Sequence, residues 1–290
     1  MKKLLIASTA LVATAGMAAA DITITGHAAA GIHSALDDVT TTDNTTDVAG
    51  DGVYSNAGVD FTMTGATDNG ISFSASVNID AGTEIDAGDF EFDGADGGTA
   101  GLGSVSMTGT FGTLTFDDNG IDNLYDGDFT SADVSYSTTI GAISLSVAHD
   151  TSGADDANSM SAGYTASGMS FTLAASDDTD GTSSSLSVAY ALNDSVSVTG
   201  KTDQVAGAES VQTITAATTL NGVSVSVSSA NNSTWDVDLG YTAGGFALTY
   251  GVDETDGWTA TATTALGGGA TFSAGVDNND STYAGVSFAF

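Results

Sequence analysis

Two kinds of connection alternate along this 290-residue chain, and they constrain its fold more than any other feature. Nine segments rich in aspartate recur, among them residues 37–52, 80–100, 150–158 and 177–183. Between them lie short turns of small residues, such as 166–168, 192–194, 220–222 and 243–245. A soluble β-sandwich has no reason to sort its connections in this way, whereas a membrane-spanning barrel has short turns at one end and long loops at the other. The pattern therefore predicts hairpins that form a transmembrane barrel.

The hairpins themselves show period-two alternation. Val223, Val225 and Val227 alternate with serines, and similar alternation covers residues 143–147, 169–173 and 235–241. Residues at this period share one face of a strand, and no sustained helical repeat follows residue 20. Counting these segments gives eighteen strands, with the least regular part between residues 80 and 135. We expect an all-β, antiparallel transmembrane barrel of 16–18 strands, with short periplasmic turns and acidic outer loops.

Residues 1–20 have the composition of a secretory signal peptide. Lys2 and Lys3 precede an apolar stretch over residues 4–17, and three alanines precede Asp21. Removal of this segment would leave a barrel domain over residues 21–290. The chain contains no cysteine, which excludes disulfides and thiolate metal sites.

Acidic residues dominate the charge of the chain. Residues 21–290 contain 37 acids, no arginine and a single lysine, Lys201, which gives a formal charge of −36. Nucleic-acid binding is excluded, because it needs basic residues to neutralise phosphates. Two interpretations of the acidity remain open, a preference for cations and solubility in saline surroundings.

The two faces of the predicted strands differ in chemistry. One face carries aliphatic and aromatic residues, which lipid requires, and the other carries Ser, Thr, Gly and Asp, which suit a water-filled interior. Alternation places several charged residues on the polar face: Asp60, Asp133, Lys201, Asp236 and Asp238. Acids that line a pore favour cations. We therefore expect these residues to line a pore, although solvated polar positions without a special role would show the same pattern.

Catalytic and metal-binding motifs find little support. No H-E-x-x-H motif occurs, and no G-x-S-x-G turn precedes a helix, so we predict no enzyme activity. Calcium suits the composition better than zinc, because carboxylate oxygens are ligands that Ca²⁺ prefers. Two outer segments offer candidates for weak sites, one with Asp117 and Asp118 and the other with Asp277 and Asp280. Neither segment has EF-hand spacing, and simple solvated acidic loops remain the favoured alternative.

The end of the chain resembles the signature by which outer-membrane barrels are recognised for assembly, with Val286, Phe288 and Phe290 on one face. Other segments resemble the alphaproteobacterial general-diffusion porins, a Gram-negative outer-membrane family: residues 21–28, 59–73 and 108–116. The resemblance covers the whole chain after residue 20.

The resemblance implies a homotrimer of barrels among outer-membrane lipids, with passive diffusion of small hydrophilic solutes and cations. It also implies a third loop, here about 117–131, that folds inward and constricts the pore. That loop contains five acids: Asp117, Asp118, Asp122, Asp126 and Asp128. The chain departs from the family in two respects, because such porins usually have sixteen strands and usually carry arginines opposite this loop.

Two other functions are compatible with parts of the pattern. One is an acidic secreted or surface-layer β protein with a structural or adhesive role. The other is a barrel that serves mainly to anchor its loops. The sorting of loops by length and the terminal phenylalanine favour a pore over the surface protein. The anchor is disfavoured because no loop is long enough to form a folded domain.

Overall fold

The structure, a computed structural model, describes residues 21–38, 48–127, 130–151, 158–178 and 181–290. The predicted signal peptide, residues 1–20, lies outside the described residues. The described strands, in chain order, are β1 (Asp21–Ser34), β2 (Asp37–Asp38), β3 (Gly52–Ala66), β4 (Ser72–Asp86), β5 (Glu91–Gly109), β6 (Gly112–Asp122), β7 (Thr130–Ile140), β8 (Ile143–His149), β9 (Asn158–Ala166), β10 (Met169–Asp178), β11 (Gly181–Asn193), β12 (Val196–Gln204), β13 (Val211–Leu220), β14 (Val223–Ala230), β15 (Trp235–Ala243), β16 (Phe246–Asp253), β17 (Trp258–Gly267), β18 (Ala270–Asp277) and β19 (Thr282–Ala289).

Eighteen of these strands form a closed antiparallel barrel, as the sequence predicted. Each wall strand pairs with its neighbours in chain order, and β19 pairs with β1 to close the ring. The two-residue β2 lies outside the ring and pairs in parallel with the start of β5. Within the described part of the chain, no helix has the length and apolar character needed to cross a membrane.

The predicted short turns are confirmed at one end of the barrel. Ser167 and Gly168 connect β9 to β10, and Asn221 and Gly222 connect β13 to β14. All four residues have positive φ, which the two-residue turns favoured in right-twisted hairpins require. We call this end the turn end and the opposite end the loop end.

The prediction of a long loop over residues 80–100 is wrong. Strand β4 continues to Asp86 and β5 begins at Glu91, so a turn of four residues, 87–90, replaces the loop. Likewise, the predicted acidic segment 177–183 is mostly strand. Backbone pairing in water tolerates acidic side chains, so strands extend beyond the roughly 9–11 residues that a membrane crossing needs. Acidic composition therefore indicates which end of each hairpin is the loop end, but it does not predict the residue at which strand pairing stops.

Strand register sorts the side chains onto two faces. On β14 and β15, Val225 pairs with Leu239 on one face, and Ser226 pairs with Asp238 on the other. The same alternation continues through β16, where Tyr250 lies opposite Leu239 and Gly251 lies opposite Asp238. Thus an apolar face and a polar face run around the wall, as period-two alternation predicted.

Candidate functional site

The connection between β6 and β7 lies against the polar face of distant strands. The Leu124 amide donates a hydrogen bond to the Ser159 hydroxyl of β9 (2.9 Å), and the Tyr125 hydroxyl donates to Asp203 Oδ1 of β12 (2.6 Å). Asn123 is buried, and its Oδ1 accepts hydrogen bonds from the amides of Tyr125 and Asp126. We call residues 123–127 the inner loop. Because this loop spans from β6 to β12 along the polar face, we take that face to be the interior of the barrel.

The single lysine of residues 21–290 forms an ion pair with a carboxylate on the same strand. Lys201 Nζ lies 2.8 Å from Asp203 Oδ2, and the other oxygen of this carboxylate accepts the Tyr125 hydroxyl. Burial, and then the hydrogen bond to Asp203, raise the pKa of Tyr125 to about 12. The phenol therefore remains a donor at neutral pH. Lys201, Asp203 and Tyr125 form one network that fastens the inner loop to the wall.

The other predicted pore-lining acids are found in three settings. Asp60 on β3 lies 3.7 Å from His27 Nδ1, and the second nitrogen of His27 lies 3.2 Å from Asp80 Oδ1. A Cβ at Gly58 would overlap both the His27 ring and the Asp80 carboxylate, so this glycine makes room for the pair. Here a histidine and two carboxylates meet on the polar face of β1, β3 and β4.

Asp236 and Asp238 lie on β15, on the face where Asp238 meets Ser226 and Gly251. Asp236 pairs with Asp253 across the ladder, so three acids gather on this part of the wall. Hydroxyls surround them, as in the row formed by Ser224, Gly240, Thr249 and Thr261, where the two threonine oxygens are 2.6 Å apart. Such a wall offers hydrogen-bonding groups and negative charge to water and cations.

Asp133, in contrast, is occupied by backbone groups. Its Oδ1 accepts a hydrogen bond from the Asn119 amide (3.0 Å), and its Oδ2 accepts one from the Thr151 amide (2.7 Å) and one from the Thr151 hydroxyl. The ladder between β6 and β7 is interrupted here, since Phe116 pairs with Val134 and the next pair is Ile121 with Ala132. Asp133 therefore holds the bulged residues 117–120 in place.

The predicted constriction acids do not all lie in one loop. Asp117, Asp118 and Asp122 belong to β6, and the Asp122 carboxylate accepts a hydrogen bond from Thr130 at the start of β7 (2.6 Å). Asp126 lies in the inner loop, and Asp128 lies outside the described residues. The predicted loop 117–131 is therefore too long at both ends, because β6 and β7 extend into it. The inner loop itself depends on Asn123, Tyr125, Ser159 and Asp203, which the sequence analysis did not single out.

The two segments with calcium candidates differ in structure. Asp117 and Asp118 are in β6, whereas the Asp277 Oδ1 already accepts hydrogen bonds from the Asn279 and Ser281 amides (both 2.8 Å) in the β18–β19 turn. Asp280 is an exposed residue of the same turn. Among the described residues, no three histidines or acids are grouped so that they could hold a metal ion.

Comparisons with known proteins agree with this architecture. A family model described as Gram-negative porin matches residues 7–289. An engineered variant of the Rhodobacter blastica porin is 15% identical, with a TM-score of 0.53 over 93% of this chain and 100% of that chain. A second variant of the same porin is 17% identical, with a TM-score of 0.54 and the same coverage. A porin structure refined at 1.8 Å is 18% identical, with a TM-score of 0.50 over 93% of this chain and 100% of that chain. No curated protein matches. At these identities the solved structures show a shared fold.

Proposed function

The chain belongs to the Gram-negative porin family and forms a channel of the outer membrane, and on this premise we propose that the channel conducts small hydrophilic solutes and prefers cations. The proposed transport is passive diffusion through a water-filled interior, needs no cofactor and involves no catalysis. It also requires export, for which residues 1–20 would serve as the signal peptide. A surface-layer protein with a soluble core is disfavoured, because the apolar face of a closed barrel has no core to pack against.

The pairing of Lys201 with Asp203 carries the proposal of cation preference. Residues 21–290 hold no other lysine and no arginine, and this one ammonium lies 2.8 Å from a carboxylate. Asp60, Asp236 and Asp238 are on the polar face, where neither lysine nor arginine neutralises them. A pore whose wall carries fixed negative charge concentrates cations and excludes anions.

We further propose that the inner loop forms the main constriction of the pore. Its contacts with Ser159 on β9 and Asp203 on β12 support this role, because both residues are on the polar face and the loop is therefore held against the interior of the wall. The acid of this loop, Asp126, would add to the negative charge at the narrow point.

We also propose that three copies assemble through the sector of the wall around β19 and β1. The apolar face carries a row of small residues there, with Ala262 beside Ala274 and Ala274 beside Ala284. A second row joins Ala28 of β1 to Ala57 of β3. Small residues let protein surfaces in a membrane approach closely. The neighbouring strands β15 and β16 carry bulky residues there, such as Leu239 and Tyr250, which suit lipid.

Reversal potentials in KCl gradients across planar bilayers test the proposed selectivity. We expect strong cation preference at low salt. Screening lengths fall from about 30 Å at 0.01 M to about 3 Å at 1 M, so selectivity due to mouth charges should weaken over this range and selectivity due to acids at the constriction should persist. Lys201→Glu should raise the preference slightly. An anion-selective or unselective channel at low salt would show that the charge argument is wrong.

A further inference from the structure

The longest hairpin of the wall continues past the barrel and turns back over its interior. Strands β4 and β5 contain 15 and 19 residues, whereas a tilted membrane crossing needs about 9–11. Register shifts interrupt their pairing at Ala75/Val77, Ile79/Ala81 and Glu84/Ile85. Bulges of this kind bend a hairpin and increase its twist. We call residues 85–93 the hairpin tip.

The apolar side chains of the hairpin tip contact β1 and β19, the two strands whose pairing closes the ring. The Phe90 ring lies 5.4 Å from the Tyr283 ring of β19, and the Phe92 ring stacks on His33 of β1 at 4.9 Å. Leu36 is fully buried and forms, with Phe90 and Tyr283, the one cluster of buried hydrophobic residues in the described part of the chain. The backbone adds to this contact, since the Asp37 amide donates to the Phe90 carbonyl (3.1 Å).

The register of β1 and β19 shows on which side of the wall this contact lies. His33 pairs with Tyr283, and both are on the face opposite to Ile32 and Ala284. Tyr54 of β3 is on the same face, where its ring takes space that a Cβ at Gly31 or Gly285 would fill. This is the polar face that the inner loop also contacts. The hairpin tip therefore bends into the mouth of the barrel.

The two inward elements lie on opposite walls. The hairpin tip contacts β19 and β1, whereas the inner loop contacts β9 and β12. Strand β10 lies between β9 and β12. Around the ring of eighteen strands it is nine strands from β19, which is half of the circumference. A solute must therefore pass the hairpin tip on one side of the pore and the inner loop on the other.

The chemistry of the hairpin tip is divided between its two sides. Phe90 and Phe92 face the wall, whereas Asp86, Asp89 and Asp93 are exposed. The Asp86 carboxylate stays ordered by accepting the Gly88 amide (2.7 Å) and the Asp89 amide (3.3 Å). The exposed carboxylates of Asp86, Asp89 and Asp93 thus lie at the mouth of the channel, beside the route of permeating ions.

We infer that the hairpin tip is a second selectivity element, a fixed group of carboxylates at the mouth of the pore on the side opposite to the inner loop. The inference rests on the proposed function of this chain as a pore. Its specificity-determining residues are Asp86, Asp89, Glu91 and Asp93, and its positioning residues are Phe90 and Phe92. The ligands that it selects are hydrated cations and cationic solutes, which its carboxylates attract.

Site-directed labelling tests the position of the hairpin tip, because the chain has no cysteine of its own. Asp89→Cys channels in a planar bilayer are treated with a maleimide polyethylene glycol. We expect single-channel conductance to fall by about half or more. The control is Asn232→Cys, in the tight turn 231–234 at the same end of the barrel. A gel shift of the recovered protein shows that each cysteine has reacted.

Charge removal tests the role of the hairpin tip. Asp89→Asn combined with Glu91→Gln should lower cation selectivity at low salt, with little change in conductance at 1 M salt. The control, Asp256→Asn combined with Asp280→Asn, removes two acids from other turns at the same end and should have a smaller effect. Equal effects of the two pairs, or full conductance after labelling of Asp89→Cys, would overturn the inference while leaving the pore itself established. Absence of any conductance in the unlabelled protein would overturn both proposals.

Discussion

At the scale of single residues, the Tyr125 hydroxyl links the inner loop to the wall. It donates to the Asp203 carboxylate (2.6 Å), which also binds Lys201 (2.8 Å). Hydrogen bonds to charged groups contribute about 1.5–3 kcal/mol each. The bond joins residues 78 positions apart, one in the inner loop and one in a wall strand. Because the wall strands are held by their own backbone pairing, loss of this bond should affect the loop and leave the wall intact.

We predict that Tyr125→Phe will loosen the inner loop. Its free energy of docking should fall by about 1–3 kcal/mol, because Asp203 loses a donor while Lys201 still pairs with it. Single-channel recordings should show larger current fluctuations and a modest rise in conductance. The matched control is Tyr136→Phe, which removes a phenol that donates to the Phe111 carbonyl at the turn end. Unchanged currents in Tyr125→Phe would show that this hydrogen bond does not fix the loop.

The raised pKa of Tyr125 gives a second prediction at this scale. The ordinary value is 10.0 and the docked value is about 12, so the docked loop retains a proton that a released loop would lose between these values. Docking should therefore be fully stable below pH 10 and should weaken as pH rises through about 12. Conductance fluctuations should increase over this window in the natural protein. The difference from the Tyr125→Phe channel, measured at each pH, isolates the phenol, and a constant difference would contradict the assignment.

At the scale of single strands, the division between faces determines what each position tolerates. Val225 and Ser226 are neighbours on β14, yet one pairs with Leu239 and the other with Asp238. An arginine on the lipid side near mid-membrane costs about 2–4 kcal/mol, whereas the interior is wet. Adjacent positions on one strand therefore provide a matched test.

We predict that Val225→Arg will impair assembly and that Ser226→Arg will not. The Ser226→Arg protein should fold with little loss of stability and should show reduced cation selectivity, because the new guanidinium faces Asp238. Heat-modifiability on gels measures assembly, and reversal potentials measure selectivity. If both variants assemble equally well, the assignment of the faces is wrong.

At the scale of the whole molecule, side-chain size divides the outer wall into two sectors. Alanines of β17, β18 and β19 form a continuous row, whereas β14, β15 and β16 present Val, Leu and Tyr at the corresponding positions. Uneven wall chemistry of this kind suits a barrel that meets protein on one side and lipid on the other.

We predict that Ala274→Trp will weaken the proposed trimer without unfolding the barrel. Its side chain is flanked by Ala262 and Ala284, so a bulky ring would hold neighbouring copies apart. Val237→Trp, flanked by Val227 and Val252 in the bulky sector, is the control. Cross-linking in detergent should show a shift from trimer to monomer for the first variant alone. A stable trimer in Ala274→Trp would exclude this sector as the interface.

The sequence alone determined the barrel, its strand number and the face on which Asp60, Lys201, Asp236 and Asp238 lie. These features follow from period two, from turn residues such as Asn221 and Gly222, and from the distribution of charge, all of which are local properties of the chain. The terminal strand and residues 21–28, 59–73 and 108–116 also led to the porin family by resemblance. The sequence therefore contained most of the information about the wall.

Only the tertiary structure decided what lies inside the wall. The contact of Tyr125 with Asp203, the docking of Phe90 on Tyr283 and the use of Asp133 as a backbone anchor join segments that are far apart or depend on bulges. No periodicity encodes them, because each depends on the curvature of a closed barrel, which brings distant strands within reach of one loop. Acidic composition marked the loop end, but strand pairing through residues 80–86 and 91–100 was decided by backbone hydrogen bonds, to which side-chain charge is nearly indifferent.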